Sequence, residues 1–276
     1  MAAMYFTEIL QRAMKGESNA IIRMYLNEIN IKWRKVESAA EALRGNGGKL
    51  DALIASLDEF VHDLQNPKYR QSSKNKGGFR SDSEIFSSVW IDDLLNVLMS
   101  QFKFTQSGVK WGYQRYSTHF RFYQKRLLLD DRQPTIETSE SPKFLMLGQQ
   151  IDLQFRLAGR RNFTKYELNL PILVFHTMRT FGEEDFIRSD YYARMAKQTF
   201  EMGKTIVVAD SLHNGFYPDL TDSAIDAVYI LRRQDKKTQQ NGLSVEVVKQ
   251  LDRRIRDMLF EKESNPKDIL RTGYTE

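Results

Sequence analysis

Residues 170–181, LPILVFHTMRTF, form the stretch on which the fold prediction turns. Its apolar first half, residues 170–175, is short and carries no charge, which predicts a buried β-strand and is far too short to span a bilayer. The strand ends in His-Thr-Met and is followed by GEED, residues 182–185, at the start of a predicted helix. A lone histidine such as His176 can act as a general base or metal ligand, but it is more often a hydrogen-bonded structural residue.

The rest of the second half has the pattern of a mixed sheet. Residues 151–157, IDLQFRL, alternate apolar and polar side chains, as half-buried strands do. Two short apolar strands follow, KTIVVAD at 204–210 and IDAVYILR at 225–232, and helices are predicted at 183–200 and 245–260. Strands flanking a helix predict an α/β or α+β fold with a mixed sheet, and we assign it to residues 134–276.

The first 133 residues are predicted to be mostly helical. Apolar residues recur at three- and four-residue spacing in 19–43, where GNGG at 45–48 ends the helix, and again in 49–65. A third helix is predicted to begin at Ser81, with Glu84 three residues later completing a capping box. Its expected buried face contains Ile85, Phe86, Val89, Trp90, Leu94, Leu95 and Leu98.

Composition limits the classes of function. The chain has 276 residues, a net charge of +5 and no cysteine, which excludes disulfides, thiolate metal sites and a cysteine nucleophile. Its four histidines lack zinc-site spacing, and no P-loop, GxSxG or GxGxxG motif is present. The charged N-terminal residues do not match a signal peptide, and we expect a cytoplasmic protein. The positive charge favours a polyanionic partner.

The segment most typical of a nucleic-acid contact is residues 102–126, FKFTQSGVKWGYQRYSTHFRFYQKR. No acid occurs between Asp93 and Asp130, and cations alternate with aromatic residues. The cations could bind phosphates and the aromatic rings could stack or line a groove. The same pattern also fits a β-hairpin with its aromatic side chains in the core and its cations in water. The cations are Lys103, Lys110, Arg115, Arg121, Lys125 and Arg126, and the aromatic residues are Trp111, Tyr113, Tyr116, Phe120, Phe122 and Tyr123.

Other charged residues have simpler explanations. Asp226 at a strand start is predicted to be structural, and Asp210, Asp219 and Asp222 are predicted to lie in a loop, where turns favour acids. The smaller basic clusters are each predicted to be solvated surface. They comprise Lys74, Lys76 and Arg80, then Arg160 and Arg161, then Arg232, Arg233, Lys236 and Lys237.

Four motifs resemble the two-subunit restriction endonucleases of the BbvCI type: FRSD at 79–82, ARMAKQTF at 193–200, GKTIVVADSL at 203–212 and IDAVYILRRQ at 225–234. The similarity extends from about residue 79 to 262, and IDAVYILRRQ is its most specific part. It implies a restriction-endonuclease-like core of the PD-(D/E)xK superfamily. In such a core two carboxylates hold Mg²⁺, the metal generates the nucleophilic hydroxide, and a lysine orients the water.

This sequence departs from that pattern at each chemical position. In SPKFLMLG, residues 141–148, Lys143 replaces the expected first aspartate, and His176-Thr177-Met178 replaces Glu-x-Lys. A lysine repels a metal ion and a methionine cannot orient water by charge, so the resemblance implies no catalytic residues and no cofactor for this chain. A relocated site built from Asp152, Glu167 and Lys165, with Mg²⁺, is the alternative. Lys197 matches a basic residue of the family and is expected to contact phosphate or to be structural.

The resulting hypothesis is a DNA-binding, non-cleaving subunit of a restriction–modification defence system, paired as a heterodimer with a homologous active nuclease subunit. The residues expected to contact double-stranded DNA are Arg80, Lys110, Arg115, Arg121, Arg126 and Lys197. Two alternatives stay open. One is an active Mg²⁺-dependent endonuclease with relocated ligands, and the other is a regulatory or scaffold protein that reuses the fold without binding DNA.

Overall fold

The computed structural model describes residues 4–45, 48–71, 78–80, 83–123, 135–156, 163–213, 216–232, 242–260 and 270–272. The α-helices are α1 (Tyr5–Gly16), α2 (Ala20–Arg44), α3 (Leu50–Leu64), α4 (Val89–Met99), α5 (Glu183–Thr199) and α6 (Val245–Leu259). The strands are β1 (Val109–Gln114), β2 (Ser117–Tyr123), β3 (Thr135–Glu140), β4 (Phe144–Arg156), β5 (Phe163–Phe181), β6 (Lys204–Leu212), β7 (Ala227–Ile230) and β8 (Leu270–Thr272). Within these ranges, no helix is long and apolar enough to cross a membrane.

The two long helices of the first third form where the apolar periodicity predicts them. The Asn19 side chain caps α2 by accepting a hydrogen bond from the Ile21 amide at 2.9 Å. The predicted faces of α2 and α3 are buried, with Trp33 of α2 and Phe60 of α3 packed at a ring-centroid distance of 4.8 Å. These predictions of α2 and α3 are confirmed.

The third predicted helix begins later than expected. Glu84–Phe86 forms a separate 3₁₀ turn, capped by the Ser83 hydroxyl, and the α-helix starts at Val89. Ile85 and Phe86 are buried as predicted, but they lie on this turn and not on α4. The capping box at Ser81 lies outside the described residues.

Helix α1 is held by a contact that local sequence does not reveal. The Asp93 carboxylate on α4 accepts hydrogen bonds from the amides of Tyr5 and Phe6 at 2.7 and 2.9 Å. These are amides of the first helical turn, which have no partner within the helix. Phe6 is fully buried against Trp33 and Phe60.

Six strands form one mixed sheet in the order β1-β4-β5-β6-β7-β8. The β1–β4 and β4–β5 pairs are antiparallel, whereas β5 to β8 run parallel. Pro171 cannot donate to a strand partner, and the β4–β5 register shifts beside it, between Leu147 and Gly148, as a bulge allows. Strands β2 and β3 form a separate antiparallel pair. The predicted mixed-sheet fold after helical elements is confirmed.

The sheet has a different layer on each face because side chains alternate along its strands. Ile206 and Val208 of β6 pack in one core cluster with α1 to α4 and α6. Val207 and Ala209 face the other way and pack in a second cluster with Ala193 of α5. The first cluster joins residues from both sides of position 133, and β1 pairs with β4 across it. The domain boundary at residues 133 and 134 stays a prediction.

Candidate functional site

The three positions that depart from the nuclease pattern meet in one cleft of about 250 Å³. Leu145 of β4 lies opposite Phe175 of β5. This register brings Lys143, just before β4, close to His176 and Met178 on β5. We call this space the strand-end cleft. Its lining residues are Tyr113, Lys143, Phe144, Leu145, Phe175, His176, Thr177, Met178, Asp185, Arg188, Ser189 and Tyr192.

His176 is part of an aromatic stack. Its ring lies 4.4 Å from that of Phe144 with an interplanar angle of 9°, and the ring of Tyr192 meets it edge-on. The residue is 5% exposed, and burial lowers the pKa of His176 to about 3. Nε2 has no hydrogen-bond partner among the described residues. The imidazole is therefore neutral at pH 7 and has no partner group there that would make it a general base.

The charges in the strand-end cleft do not suit a divalent cation. Lys143 and Arg188 bring two positive charges, and Asp185 is the one carboxylate of the lining. One oxygen of Asp185 faces the Gly182 amide at 3.4 Å at the start of α5. Within the described ranges, no three His, Cys, Asp or Glu side chains are grouped so that they could hold a metal ion. Since Mg²⁺ takes oxygen ligands, preferably carboxylates, this lining does not fit it.

A buried acid next to the strand-end cleft was missed by the sequence analysis. Asp92 on α4 is 3% exposed and accepts a 2.5 Å hydrogen bond from the Tyr113 hydroxyl. Burial raises the pKa of Asp92, while hydrogen bonds from Thr177 and Tyr113 lower it. The signal for it was the pair of acids inside the mostly apolar segment VWIDDLLNVLM. Asp92 joins α4 to β1, which is a structural role.

The alternative acid pair lies away from the strand-end cleft. Asp152 of β4 and Glu167 of β5 are direct cross-strand partners, so both side chains lie on one face of the sheet. Both are exposed, and Glu167 accepts a 3.0 Å hydrogen bond from the side-chain amide of Gln150. Neither lines the strand-end cleft. The side chain of Lys165 lies outside the described part of the structure.

Trp111 and Tyr116 of the basic segment point inward, whereas Tyr113 is 43% exposed. The Trp111 indole donates to Asn96 at 2.7 Å and packs edge-on against Phe175. Tyr116 is fully buried and its hydroxyl donates to the Tyr192 carbonyl at 2.8 Å. The strands are not a hairpin, however, because β1 pairs with β4 and β2 pairs with β3. Gly108 (φ +82°) makes the turn into β1, where a side chain would strike the Gln150 carbonyl.

The cations of the basic segment are exposed where they are described. The Lys110 amine donates to the Gln150 side chain at 3.1 Å, and the Arg115 guanidinium donates to the Ser141 carbonyl at 3.2 Å. Arg80 is exposed and follows Phe79, which forms a β-bridge with Arg70. The Arg121 side chain and all of Arg126 lie outside the described part of the structure. Contact of Arg80, Lys110 and Arg115 with one DNA duplex stays a prediction.

Lys197 and Asp226 form part of a structural ion-pair group. The Lys197 amine donates to Asp226 at 3.1 Å, and the Lys204 amine lies 3.5 Å from the same oxygen. The other Asp226 oxygen accepts from the Thr205 amide at 2.9 Å. Asp226 has the contacts expected of a structural residue, and the ion pair of Lys197 fits the structural one of its two expected roles. A DNA contact by Lys197 stays a prediction.

The prediction that Asp210 lies in a loop is wrong. Asp210 belongs to β6, is 7% exposed, and accepts hydrogen bonds from the Arg232 guanidinium at 2.7, 2.8 and 3.0 Å. Arg232 is correspondingly not solvated surface, since its side chain is only 11% exposed. Asp219 does lie in a turn, where it accepts from the Thr221 amide at 3.0 Å.

Comparisons with known proteins support the fold. No protein-family model and no curated protein sequence matches the chain. Among solved structures, the native BbvCI A2B2 tetramer contains a similar chain, with a TM-score of 0.58 and 11% sequence identity. The match covers 95% of this chain and 99% of that one. At this identity the match shows the fold alone, and the chain has a restriction-endonuclease-like fold similar to that of a BbvCI chain.

Proposed function

We propose that this protein is a restriction-endonuclease-like subunit that binds double-stranded DNA, does not cleave it, and pairs with an active nuclease subunit. The observation that carries the proposal is the strand-end cleft. A fold similar to that of BbvCI along nearly the whole chain contains, at its expected catalytic strand ends, a lysine, a buried neutral histidine and a methionine. Such a lining cannot gather the carboxylates that metal-dependent hydrolysis requires.

Charge supports the DNA-binding half of the proposal. The net charge of +5 favours a polyanion, and Arg80, Lys110 and Arg115 are exposed cations on segments near the mixed sheet. Trp111 and Tyr116 pack into the core, so phosphate contact by the cations is the simpler mode. Base stacking by Trp111 or Tyr116 is not part of the proposal.

The partner is inferred from the similar solved structure. The BbvCI structure is an A2B2 tetramer, which contains two kinds of chain. A non-cleaving subunit has a natural place in such an assembly, where it supplies DNA contacts while its partner supplies the carboxylates.

Cleavage tests the non-catalytic half directly. The purified chain is incubated with plasmid DNA and Mg²⁺, alone and together with its co-encoded nuclease subunit. We expect no cleavage by the chain alone and cleavage by the mixture. Cleavage by the chain alone that Asp152→Ala or Glu167→Ala abolishes would instead establish the relocated site. The observation that favours this second candidate is that the two carboxylates face each other across β4 and β5.

DNA binding is tested by fluorescence anisotropy over a range of salt concentrations. The triple variant Arg80→Gln, Lys110→Gln, Arg115→Gln should bind more weakly, with a slope of log K against log[salt] shallower by about 3, at roughly 0.9 per phosphate contact. The matched control neutralises Lys15, Arg34 and Lys49, three exposed cations of the helical region. Equal binding by both triple variants would refute the assignment of Arg80, Lys110 and Arg115 as DNA contacts. Absence of binding by the wild type, alone and with its partner, would favour the scaffold alternative.

A further inference from the structure

A second cleft, of about 430 Å³, shares no lining residue with the strand-end cleft. We call it the arginine cleft. It lies where α3 ends and where β5, β6 and β7 reach their carboxyl ends. Its lining residues are Gln65, Arg70, Arg179, Thr180, Asp210, Ser211 and Arg232. None of the DNA contacts predicted from the sequence belongs to this set.

The parallel register brings these residues together. Thr180 of β5 is paired with Ser211 of β6, so Arg179 and Asp210, one residue earlier on each strand, lie side by side. Arg232 follows β7 and its amide donates to the Asp210 carbonyl at 2.9 Å. Arg70 approaches from the segment after α3, with its guanidinium 5.5 Å from the centre of the Phe86 ring.

The arginine cleft has an excess of positive charge. Three guanidinium groups face it, and Asp210 is the one carboxylate of its lining. Arg232 makes a two-oxygen contact with Asp210, which neutralises that carboxylate. Burial lowers the pKa of Arg70, and the charges of Arg179 and Arg232 lower it further. Arg179 thus adds a positive charge that the Arg232–Asp210 pair does not neutralise and that repels Arg70, and an anion beside Arg179 would relieve this repulsion.

The Arg179 guanidinium in the arginine cleft is available to an oxyanion. Arg179 is exposed, and no hydrogen bond or ion pair with a described residue holds its guanidinium. The Ser211 hydroxyl already donates to the Arg179 carbonyl at 3.2 Å and lies 3.3 Å from the Thr180 hydroxyl, so neither hydroxyl is counted as a donor to a ligand. Arginine can give two parallel hydrogen bonds to one phosphate, and the Arg179 guanidinium therefore offers a phosphate contact by itself.

We propose that the arginine cleft binds a phosphate group of the DNA backbone, with Arg179 as its main contact. The assignment of DNA as the source of that phosphate rests on the proposed function above. Met178 and Arg179 are neighbours on β5, yet the first lines the strand-end cleft and the second the arginine cleft. Both clefts thus open at one end of the same strand, and a duplex lying across that end meets both. The arginine cleft then positions DNA at the place where catalytic groups are missing.

Arg179→Gln tests the proposal, because this side chain supports no described contact of the fold. Arg34→Gln, which removes an exposed arginine of α2 outside both clefts, is the matched control. Duplex affinity is measured by anisotropy at several salt concentrations. We expect Arg179→Gln to weaken binding roughly tenfold and to reduce the salt slope by about 0.9, as loss of one phosphate contact does. Arg34→Gln should match the wild type in both measurements.

A second measurement separates the phosphate site from the DNA assignment. The melting temperature of each protein is compared in inorganic phosphate and in chloride at equal ionic strength. Phosphate stabilises proteins in general, so the decisive quantity is the difference between variants. We expect phosphate to raise the melting temperature of the wild type and of Arg34→Gln more than that of Arg179→Gln.

The possible outcomes are distinct. Equal duplex affinity together with equal stabilisation by phosphate in all three proteins overturns the arginine cleft but leaves the proposed DNA-binding function. In a second outcome, phosphate raises the melting temperature of Arg179→Gln less than that of the wild type, but the two proteins bind duplex equally well. The cleft then binds phosphate, and the proposal that this phosphate belongs to the DNA backbone is overturned. If the wild type binds no duplex at all, the proposed function fails, and the melting comparison alone decides whether the cleft holds phosphate.

Discussion

The imidazole of His176 lies stacked on the ring of Phe144, with centroids 4.4 Å apart and planes within 9° of parallel. At the position where the nuclease pattern expects a metal-binding carboxylate, the chain has an aromatic packing contact. Water has little access to this contact, since His176 is 5% exposed. This packing contact has a consequence for the pH dependence of stability.

The first prediction concerns His176→Phe. Because the folded-state pKa is lowered from 6.5 to about 3, the unfolded chain binds a proton in this range that the folded chain does not. The contribution of His176 to stability is thus present above pH 6.5 and lost as pH falls toward 3. Phenylalanine keeps a stacked ring and cannot be protonated. Relative to wild type, the variant should gain about 1.4 kcal/mol of unfolding free energy per pH unit below 6.5.

Urea unfolding from neutral pH to about pH 5 measures this difference. His62→Gln, which removes an exposed histidine from α3, is the control. Curves for wild type and His176→Phe that stay parallel over this range would show that His176 is not buried in the neutral form.

The second prediction concerns the buried pair formed by Asp210 and Arg232. Their side chains are about one-tenth exposed, so removing either partner leaves a charge without compensation. Asp210→Asn and Arg232→Gln should each cost about 3–5 kcal/mol, as broken buried ion pairs do. The double variant removes both charges and should cost clearly less than the sum. A double-mutant cycle by urea unfolding measures the coupling, and additive costs would refute the pairing.

Local patterns explain which parts of the fold were predictable. The faces of α2 and α3, helix α5 and the succession of strands follow from apolar spacing over neighbouring residues. The placement of α1, the pairing of β1 with β4 and the Asp210–Arg232 contact join residues far apart in sequence, and no local pattern encodes them. Helix α4 starts later than predicted because residues 84–86 form a 3₁₀ turn. Ile85 and Phe86 of that turn lie four and three residues before Val89, which is also the spacing of apolar residues along one face of an α-helix.

The candidate sites divide in the same way. Lys143, His176 and Met178 were singled out through a family resemblance, and they line one cleft. The arginine cleft was missed because Arg70, Arg179 and Arg232 lie on three separate segments, and the sequence around each one alone predicts an ordinary surface cation. The register of β5 with β6 is what assembles it.

The third prediction separates packing from DNA contact in the basic segment. Trp111 packs on Phe175 and donates to Asn96, so Trp111→Ala should lower the unfolding free energy by about 2–4 kcal/mol. The folded fraction should keep its DNA affinity. Lys110→Gln should show the reverse profile, with unchanged stability and a salt slope reduced by about 0.9. Urea unfolding and fluorescence anisotropy on both variants distinguish a role in packing from a role in DNA contact. A loss of DNA affinity in folded Trp111→Ala would instead support base stacking by Trp111.

The last prediction concerns Asp93, which joins α4 to the start of α1. Burial raises the pKa of Asp93 from 3.8 to about 7, against the lowering effect of the Phe6 and Tyr5 amides. The folded chain therefore keeps a proton that the unfolded chain releases above pH 3.8. This contribution is fully present below pH 3.8 and is lost as pH rises through about 7. Asp93→Asn keeps an acceptor oxygen but cannot ionise, so relative to wild type it should become more stable as pH rises toward 7.

Asp93→Ala separates the cap from the ionisation. It leaves the two α1 amides without their acceptor and should cost about 1–2 kcal/mol more than Asp93→Asn. Glu8→Gln, which neutralises an exposed acid on α1, is the matched control for loss of charge. Urea unfolding between about pH 5 and 8 distinguishes the variants. If the difference between Asp93→Asn and wild type does not change with pH, the carboxyl is ionised throughout, and α1 is held by a charged cap and not by a protonated one.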